Sequence, residues 1–500
     1  MKNPVILQSF EWYLPDDGSF YQKLAAEAKT LKEEGYTAVW LPPVCKATGP
    51  NDVGYGIYDL FDLGEFEQKG GRRTKYGTKE ELLACISALH DAGLLVYADV
   101  VMNHKAGADE AECCQAVPVN PDQRLEEIGP MREIEAWTRF DFPGRAGKYS
   151  DFTWNWTHFT GVDYDQRSGE SGIFRIIGEN KGFAQAVSRE KGNFDYLMFA
   201  DIDHAHPDVR EHLIDWALWF IEETGVDGFR LDAVKHMDAQ FVQYFTDRIA
   251  EEMKKRGRDF YLFGENWVRD TDKNEKLLDR TEGSLDLFDV GLHFSFFDAA
   301  NAGEHYDLRT LFDSSLTKER PMQTVTFVDN HDTQPGQALT SWVKAEFKAQ
   351  AYAGILLRKD GYPCVFAADR MGAKGPEPQA SCQETLLKLL KLRRALAYGD
   401  QSDHFENEHA IAWVRHGLEG EDRHKLVVIL SNGPSEPLHI SLGEDQAGKC
   451  FVEYFGTLPE AKVQLDENGA ASFDVAAGQL ACFAEEGLDL DAIIREIEGA

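Results

Sequence analysis

Positive charge is scarce in these 500 residues: 52 Lys and Arg stand against 86 Asp and Glu, a net charge of -34. A field of that sign repels phosphate backbones and anionic headgroups, which disfavours nucleic acid and membrane surfaces as partners. Nowhere do 18 apolar residues run together, so no transmembrane helix is expected. The opening Val5-Ile6-Leu7-Gln8 run is too short for the apolar stretch of a secretion signal. The eight cysteines (45, 85, 113, 114, 364, 382, 450 and 482) contain no C-x-x-C pair. Cys85 and Cys482 fall in apolar patterns and are expected as buried free thiols. A soluble protein of a reducing cytoplasm is the resulting expectation. Gly70-Gly71-Arg72-Arg73 lacks the G-x-x-x-x-G-K-[ST] frame, so the usual signature of phosphoryl transfer is missing too.

What is present is the composition of an ordinary globular protein, 43% hydrophobic and 28% charged. At about 150 residues per domain, the length predicts two or three domains. Seven apolar runs read as buried parallel strands: 5–10, 37–42, 94–101, 228–233, 260–264, 324–329 and 362–367. Amphipathic helices lie between many of them. Thr78-Lys79-Glu80-Glu81 is a capping box, followed by Leu82, Leu83, Ile86 and Leu89 on one face and closed by Gly93. From about Asp208, residues Leu213, Trp216, Ala217, Phe220 and Ile221 repeat at helical spacing. This alternation predicts an α/β architecture with a parallel sheet.

About 125 residues separate the strand ending near Val101 from the one at Gly228, far more than a crossover helix needs. The expectation is an inserted subdomain of irregular and β structure over 104–206, with the parallel-sheet domain made of 1–103 and 207–396. Beyond 396 the pattern changes to short alternating runs, 411–414, 426–430 and 450–454. Turns at Asn432-Gly433 and Glu467-Asn468-Gly469 separate them. Residues 401–500 hold 20 Asp and Glu against 6 Lys and Arg. They read as a separate acidic unit, an antiparallel β domain over 397–484. A short amphipathic helix at 488–498 then falls in an acidic tail, 485–500.

Polar residues gather where the strands end: Asn103-His104, Asp232, Glu265 and His331-Asp332. Singly, each reads as a helix cap or a solvated loop residue. Together, at successive strand ends, they mark the active-site face of a (β/α)8 barrel. Three carboxylates with His and Arg suit glycosidic cleavage, which needs one acid for the leaving oxygen and one carboxylate for an oxocarbenium-like centre. Arg230, two residues before Asp232 on a strand, shares its face and favours its ionised form. Glu265 must instead keep a proton, which Phe263 and Trp267 promote by desolvation.

Four segments carry a resemblance: Asp99-Val-Val-Met-Asn-His104, Gly228-Phe-Arg-Leu-Asp-Ala-Val-Lys-His236, Phe263-Gly-Glu-Asn-Trp267 and Phe327-Val-Asp-Asn-His-Asp-Thr333. With them the chain resembles the α-amylase family of glycoside hydrolases over about residues 4–480. Gln8–Tyr13, Val53–Asp59, Asp62–Phe66 and Asn193–Asp203 are similar to the bacterial liquefying and cytoplasmic members. The resemblance implies a (β/α)8 TIM barrel, an insertion after strand 3 and a C-terminal antiparallel β-sandwich. It implies Asp232 as nucleophile, Glu265 as general acid and base, and Asp332 as the carboxylate that orients sugar hydroxyls.

Substrate contacts implied in the same way are Tyr55 as a stacking ring, His104 and His331 as hydroxyl donors, Lys235 and His236 on the acceptor side, and Arg230 and Trp267. For Tyr55 a core-packing role stays open. Calcium is the implied cofactor, held by Asn103, Asp195, Asp201 and the His236 carbonyl; oxygen ligation suits that hard cation. Many relatives hold further ions nearby; here Asp163 and Asp203 are kept while Ala184 and Ala205 replace carboxylates, so one calcium is expected. Asn266 stands where these relatives have Tyr. The implied activity is endo-acting, retaining hydrolysis of α-1,4-glucosidic bonds in starch, glycogen and maltodextrins by a monomer. Two alternatives remain: a cyclomaltodextrinase, α-glucosidase or transglycosylase of short α-glucans, and an inactive partner subunit. The latter would require a missing acid or a membrane helix.

Overall fold

Strands that are apolar on both faces cannot lie against water, and here they are buried as neighbours in one ring. The computed structural model describes residues 3–418, 424–458 and 461–499. Its barrel strands are β1 (Ile6–Gln8), β2 (Ala38–Leu41), β3 (Leu95–Val100), β4 (Gly228–Leu231), β5 (Tyr261–Gly264), β6 (Asp286–Phe288), β7 (Thr324–Phe327) and β8 (Tyr362–Phe366). Every neighbouring pair is parallel, and β8 returns to β1, so no edge is left open. Alternate side chains point inward: Trp40, Tyr97, Phe263, Phe288 and Phe327 pack against one another inside the ring. Seven strands coincide with the expected runs. The eighth, β6, lies where Asp286 and Asp289 break up the apolar residues, so no continuous run marks it along the chain.

Helices cover the outside. Those that matter below are α1 (Phe20–Glu34), α2 (Lys79–Asp91), α3 (Pro207–Thr224), α4 (Ala239–Lys255) and α5 (Thr271–Arg280). The expected capping box opens α2: Thr78 Oγ1 accepts from the Glu81 amide and Glu81 from the Thr78 amide. Ala92 caps the helix and Gly93, with a left-handed φ of 78°, closes it as expected. Pro207 starts α3 in the first helical turn, where its missing N–H costs nothing.

Between β3 and α3 a seven-stranded sheet is built from His104–Lys105, Glu110–Asn120, Gln123–Glu127, Arg132–Arg139, Phe159–Asp165, Glu170–Ile177 and Ala200–Ile202. Its last strand pairs with the first, setting Asp201 opposite His104. That register brings residues a hundred positions apart to the end of β3. After the barrel, six antiparallel strands (Gln401–His404, Ala410–Arg415, Leu426–Ser431, Leu480–Glu485, Cys450–Glu453 and Lys462–Gln464) form one sheet. The pair Leu438–Ser441 and Ala470–Phe473 forms a second, and Ile440, Phe473, Phe451 and Phe483 fill the layer between. The terminal helix, Leu490–Gly499, buries Ile494 and docks on the helix Gln383–Leu396 through Lys391–Asp491 and Arg394–Glu498 pairs. All eight cysteines are unpaired, with Cys85 and Cys482 fully buried. No helix among the described residues is long and apolar enough to cross a membrane.

Candidate active site

The strands of the barrel all point one way, so the residues just past their C-terminal ends converge on one face. There Arg230, 0% exposed, sends Nη1 to Asp99 (2.9 Å) and Asp232 (2.6 Å) and Nη2 to Glu265. One guanidinium therefore holds both expected catalytic carboxylates at its two terminal nitrogens, and a third acid braces it from β3. Asp232 is the first residue past β4; Ala233 directly after it takes φ 52°, ψ 40°, a left-handed turn. Burial raises every carboxyl here: Asp99 and Glu265 to about 7, Asp332 to about 6, and Asp232 above its ordinary value, with Arg230 opposing in each case. Four acids facing one cation cannot all ionise, so the cluster retains a proton near neutrality.

Above this floor opens a cavity of about 440 Å³. Asp232, Glu265 and Asp332 line it, with Tyr55, His104, Lys235, His236, Trp267 and His331. Arg230 does not line it. The expectation that Arg230 contacts substrate is corrected: with no exposed surface, it acts through the carboxylates above it. Tyr55 is half-buried, and its ring stacks on His331 (5.2 Å between centroids) and Trp12 (6.0 Å), all three nearly parallel. Its hydroxyl lies 2.9 Å from Asp99 and 2.6 Å from His331 Nε2. Gln8 Nε2 donates to His331 Nδ1 (2.9 Å), which leaves the ring proton on Nε2, facing Tyr55 and the cavity. Burial lowers His331 to about 3 and His104 to about 4, so both rings are neutral at neutral pH.

His104 Nε2 faces the Tyr55 carbonyl at 2.8 Å, so its one proton is spent there, while Nδ1 is buried without a partner. The N–H of a neutral His104 is thus engaged by the protein, where the sequence led to the expectation of a donor to a sugar hydroxyl. Lys235 Nζ reaches Glu190 (3.2 Å) and the Trp267 carbonyl (3.1 Å), and His236 Nδ1 the Phe194 carbonyl (2.7 Å). Met198, Phe199 and Leu339 stand more than a third exposed; Met198 and Leu339 line the cavity, and Phe199 adjoins His104. Sequence reading missed Asp99, Gln8 and Trp12 as site residues. The signal was there for two of them, a carboxylate and an amide inside otherwise apolar strands.

Three of the expected calcium ligands, Asn103, Asp195 and Asp201, meet at the seam between β3 and the inserted sheet. Thr160 Oγ1 bonds Asp201 and lies 3.3 Å from Asp195, and Asn103 Nδ2 lies 3.4 Å from Asp201. Asn103 Oδ1 is buried with no partner, and burial raises Asp195 to about 7 and Asp201 well above the carboxylate range. Paired buried carboxylates beside an orphaned amide oxygen are the donor set of a hard cation. Among the described residues no group of three or more His, Cys, Asp or Glu side chains gathers as a cage, so any ion here relies on amide and backbone oxygens as well. At the neighbouring pair, Asp163 accepts from the Phe199 amide, and Asp203 is bonded by the buried ammonium of Lys181, which also reaches the Thr157 carbonyl. A built-in cation already compensates Asp203.

Comparison with known proteins identifies the family. The family description "Alpha amylase, catalytic domain" matches residues 24–158 and 193–425. An alpha-amylase of Geobacillus stearothermophilus is 45% identical over 96% of this chain and 86% of its own length. The cytoplasmic alpha-amylase of Escherichia coli K12 is 40% identical over 97% and 99%, and a glucan 1,4-alpha-maltohexaosidase of Bacillus sp. strain 707 is 42% identical over 96% and 92%. Among solved structures, an alpha-amylase from Geobacillus thermoleovorans complexed with acarbose superposes with a TM-score of 0.64 at 20% identity, covering 97% of this chain and 98% of that one. That likeness speaks for the fold alone. From the matched family and these relatives, the chain belongs to the α-amylase family of glycoside hydrolases.

Proposed function

We propose that the protein hydrolyses internal α-1,4-glucosidic bonds of starch, glycogen and maltodextrins with retention of configuration. The observation that carries this is the shared guanidinium: Arg230 holds Asp232 and Glu265 side by side at the floor of a cavity whose wall includes Asp332. Close carboxylates suit a covalent route, because an inverting pair must leave room for a water between them. Asp232, bonded to Arg230, attacks the anomeric carbon. Glu265, raised to about 7, gives its proton to the leaving oxygen and then takes one from water. Asp332, Tyr55 and His331 bind the sugar on the donor side, and Lys235, His236 and Trp267 the acceptor. Relatives named alpha-amylase at 40% to 45% identity support the endo-acting reading over a cyclomaltodextrinase or an inactive subunit.

Asn103, Asp195, Asp201 and the His236 carbonyl would hold one calcium, supplying charge balance to two buried carboxylates and tying the inserted sheet to the barrel. We take the units as 1–103 with 207–396, 104–206, 397–484 and the tail 485–500. A cytoplasmic location fits the name of the Escherichia coli relative, and we take the enzyme as a monomer. Chromatography of early products tests the reading. Soluble starch should give a spread of oligosaccharides before glucose accumulates. Rapid glucose release from maltotriose with little attack on starch would overturn it in favour of an exo-acting or short-substrate enzyme.

A further inference from the structure

In a chain carrying -34 charges, cations that escape pairing are conspicuous, and three lie on one stripe of α5. Lys273, Lys276 and Arg280 recur at i, i+3 and i+7, one face of a helix. Among the described residues none of the three enters a salt bridge. Of the three acids on the same helix, Glu275 and Asp279 are taken by Arg320, at 2.9 and 2.8 Å, and Asp272, in the first turn, does not line the cavity beside the stripe. Arg320 thus draws two of the helix's acids away from its cationic stripe.

The stripe lines a cavity of about 320 Å³ between α5 and the segment 186–190. Its lining contains five cationic side chains, the three on α5 with Arg189 and Lys235. Glu190 is its single acid, and Glu190 is engaged by Lys235. The size falls at the lower end of ligand pockets, about 300 to 1,000 Å³. Lys235 belongs to this cavity and to the catalytic one, and Asn266, the residue after Glu265, lines it as well. The two cavities therefore meet beside the acid that protonates the leaving group.

We propose that this cavity binds a phosphomonoester carried on the substrate, so that the enzyme accepts phosphorylated α-glucan with the ester on the acceptor side of the cleaved bond. The inference rests on the proposed glucan hydrolysis and adds a substrate class to it. The chemistry is direct: a phosphate dianion needs several N–H donors and compensating charge, and neutral glucan needs neither. Elsewhere the acidic surface repels such a group; this cavity reverses the sign locally.

The test compares kcat/KM for maltoheptaose with that for the same chain bearing phosphate on a glucose O6 near its reducing end. Wild type is compared with Lys273→Ala/Lys276→Ala/Arg280→Ala, three exposed sites whose change should leave the fold and the neutral reaction intact. Expected is a ratio of phosphorylated to neutral rates that falls about tenfold in the triple variant, within the summed worth of three exposed ion pairs. The wild-type ratio should also fall as salt is raised. An unchanged ratio in the triple variant overturns the proposal while leaving glucan hydrolysis standing. Loss of the neutral reaction in wild type would instead remove the reading on which it rests. A second arm titrates glucose 6-phosphate by calorimetry. Binding of the free sugar phosphate that the triple variant loses, with equal rates on both glucans, would reassign the cavity to a small effector and overturn the substrate proposal.

Discussion

Arg230→Met removes the one cation on which Asp99, Asp232 and Glu265 converge while keeping an unbranched apolar side chain in the floor of the site. At about 4 Å and an effective dielectric of about 20, each carboxylate–guanidinium pair is worth about 4 kcal/mol. The variant does not lose three times that, because stranded carboxyls take up protons instead. The expected loss of stability at neutral pH is that of one broken buried pair, about 3 to 5 kcal/mol. The sign of the pH dependence follows from the shifts. Asp99 and Glu265 are raised to about 7 in the folded protein, so between about pH 4 and 7 the folded state binds more protons than the unfolded. Their contribution is present below the unfolded values and lost as pH rises through the folded ones, so stability declines across that window. Without the guanidinium the carboxyls rise further and the decline extends to higher pH. Activity should follow, because the acid limb of kcat/KM reports ionisation of Asp232. It should move to higher pH, with at least about tenfold less activity near pH 6. Urea melts and kcat/KM on a chromogenic maltoheptaoside, each from about pH 5 to 8, measure both. A variant within about 0.5 kcal/mol of wild type, with an unmoved acid limb, would refute the assignment of Arg230 as the charge that holds this site together. Arg230→Lys, with one ammonium in place of a fork, should fall between the two.

Asp232→Asn and Glu265→Gln keep shape and lose charge or proton, so each should lower kcat by about a hundredfold or more with the fold intact by circular dichroism. If either stays within about tenfold of wild type, its role is wrong. Proton NMR during early hydrolysis should show the α-anomer first, and initial β-anomer would exclude the covalent route through Asp232. Dialysed protein should carry about one tightly bound calcium by atomic emission, and chelation should lower the melting temperature by linkage to the free ion. Two tight ions would contradict the reading that Lys181 already compensates Asp203.

Much of this protein is decided along the chain. Buried parallel strands announce themselves as continuous apolar runs, so seven of eight were legible, and Thr78 with Glu81 marks the start of α2 without any tertiary help. The acids Asp232, Glu265 and Asp332 are legible for a related reason: a charge at the end of an apolar strand has no cheap place to go unless it faces a site. Strand β6 was not legible, because Asp286 and Asp289 leave no continuous apolar run there and only the closed ring forces the segment into the ladder. Folding alone also decided what the charges do. Arg230 reads in sequence as a neighbour of Asp232, but Glu265 and Asp99 reach it only because β3, β4 and β5 lie side by side in register. His104 turns its N–H to the Tyr55 carbonyl, a partner that only the fold brings beside it. The stripe on α5 became a pocket only when the segment 186–190 closed over it. Residue type and local spacing set which groups seek burial, caps or water; which charge meets which is a property of distance in space, and the barrel sets that distance.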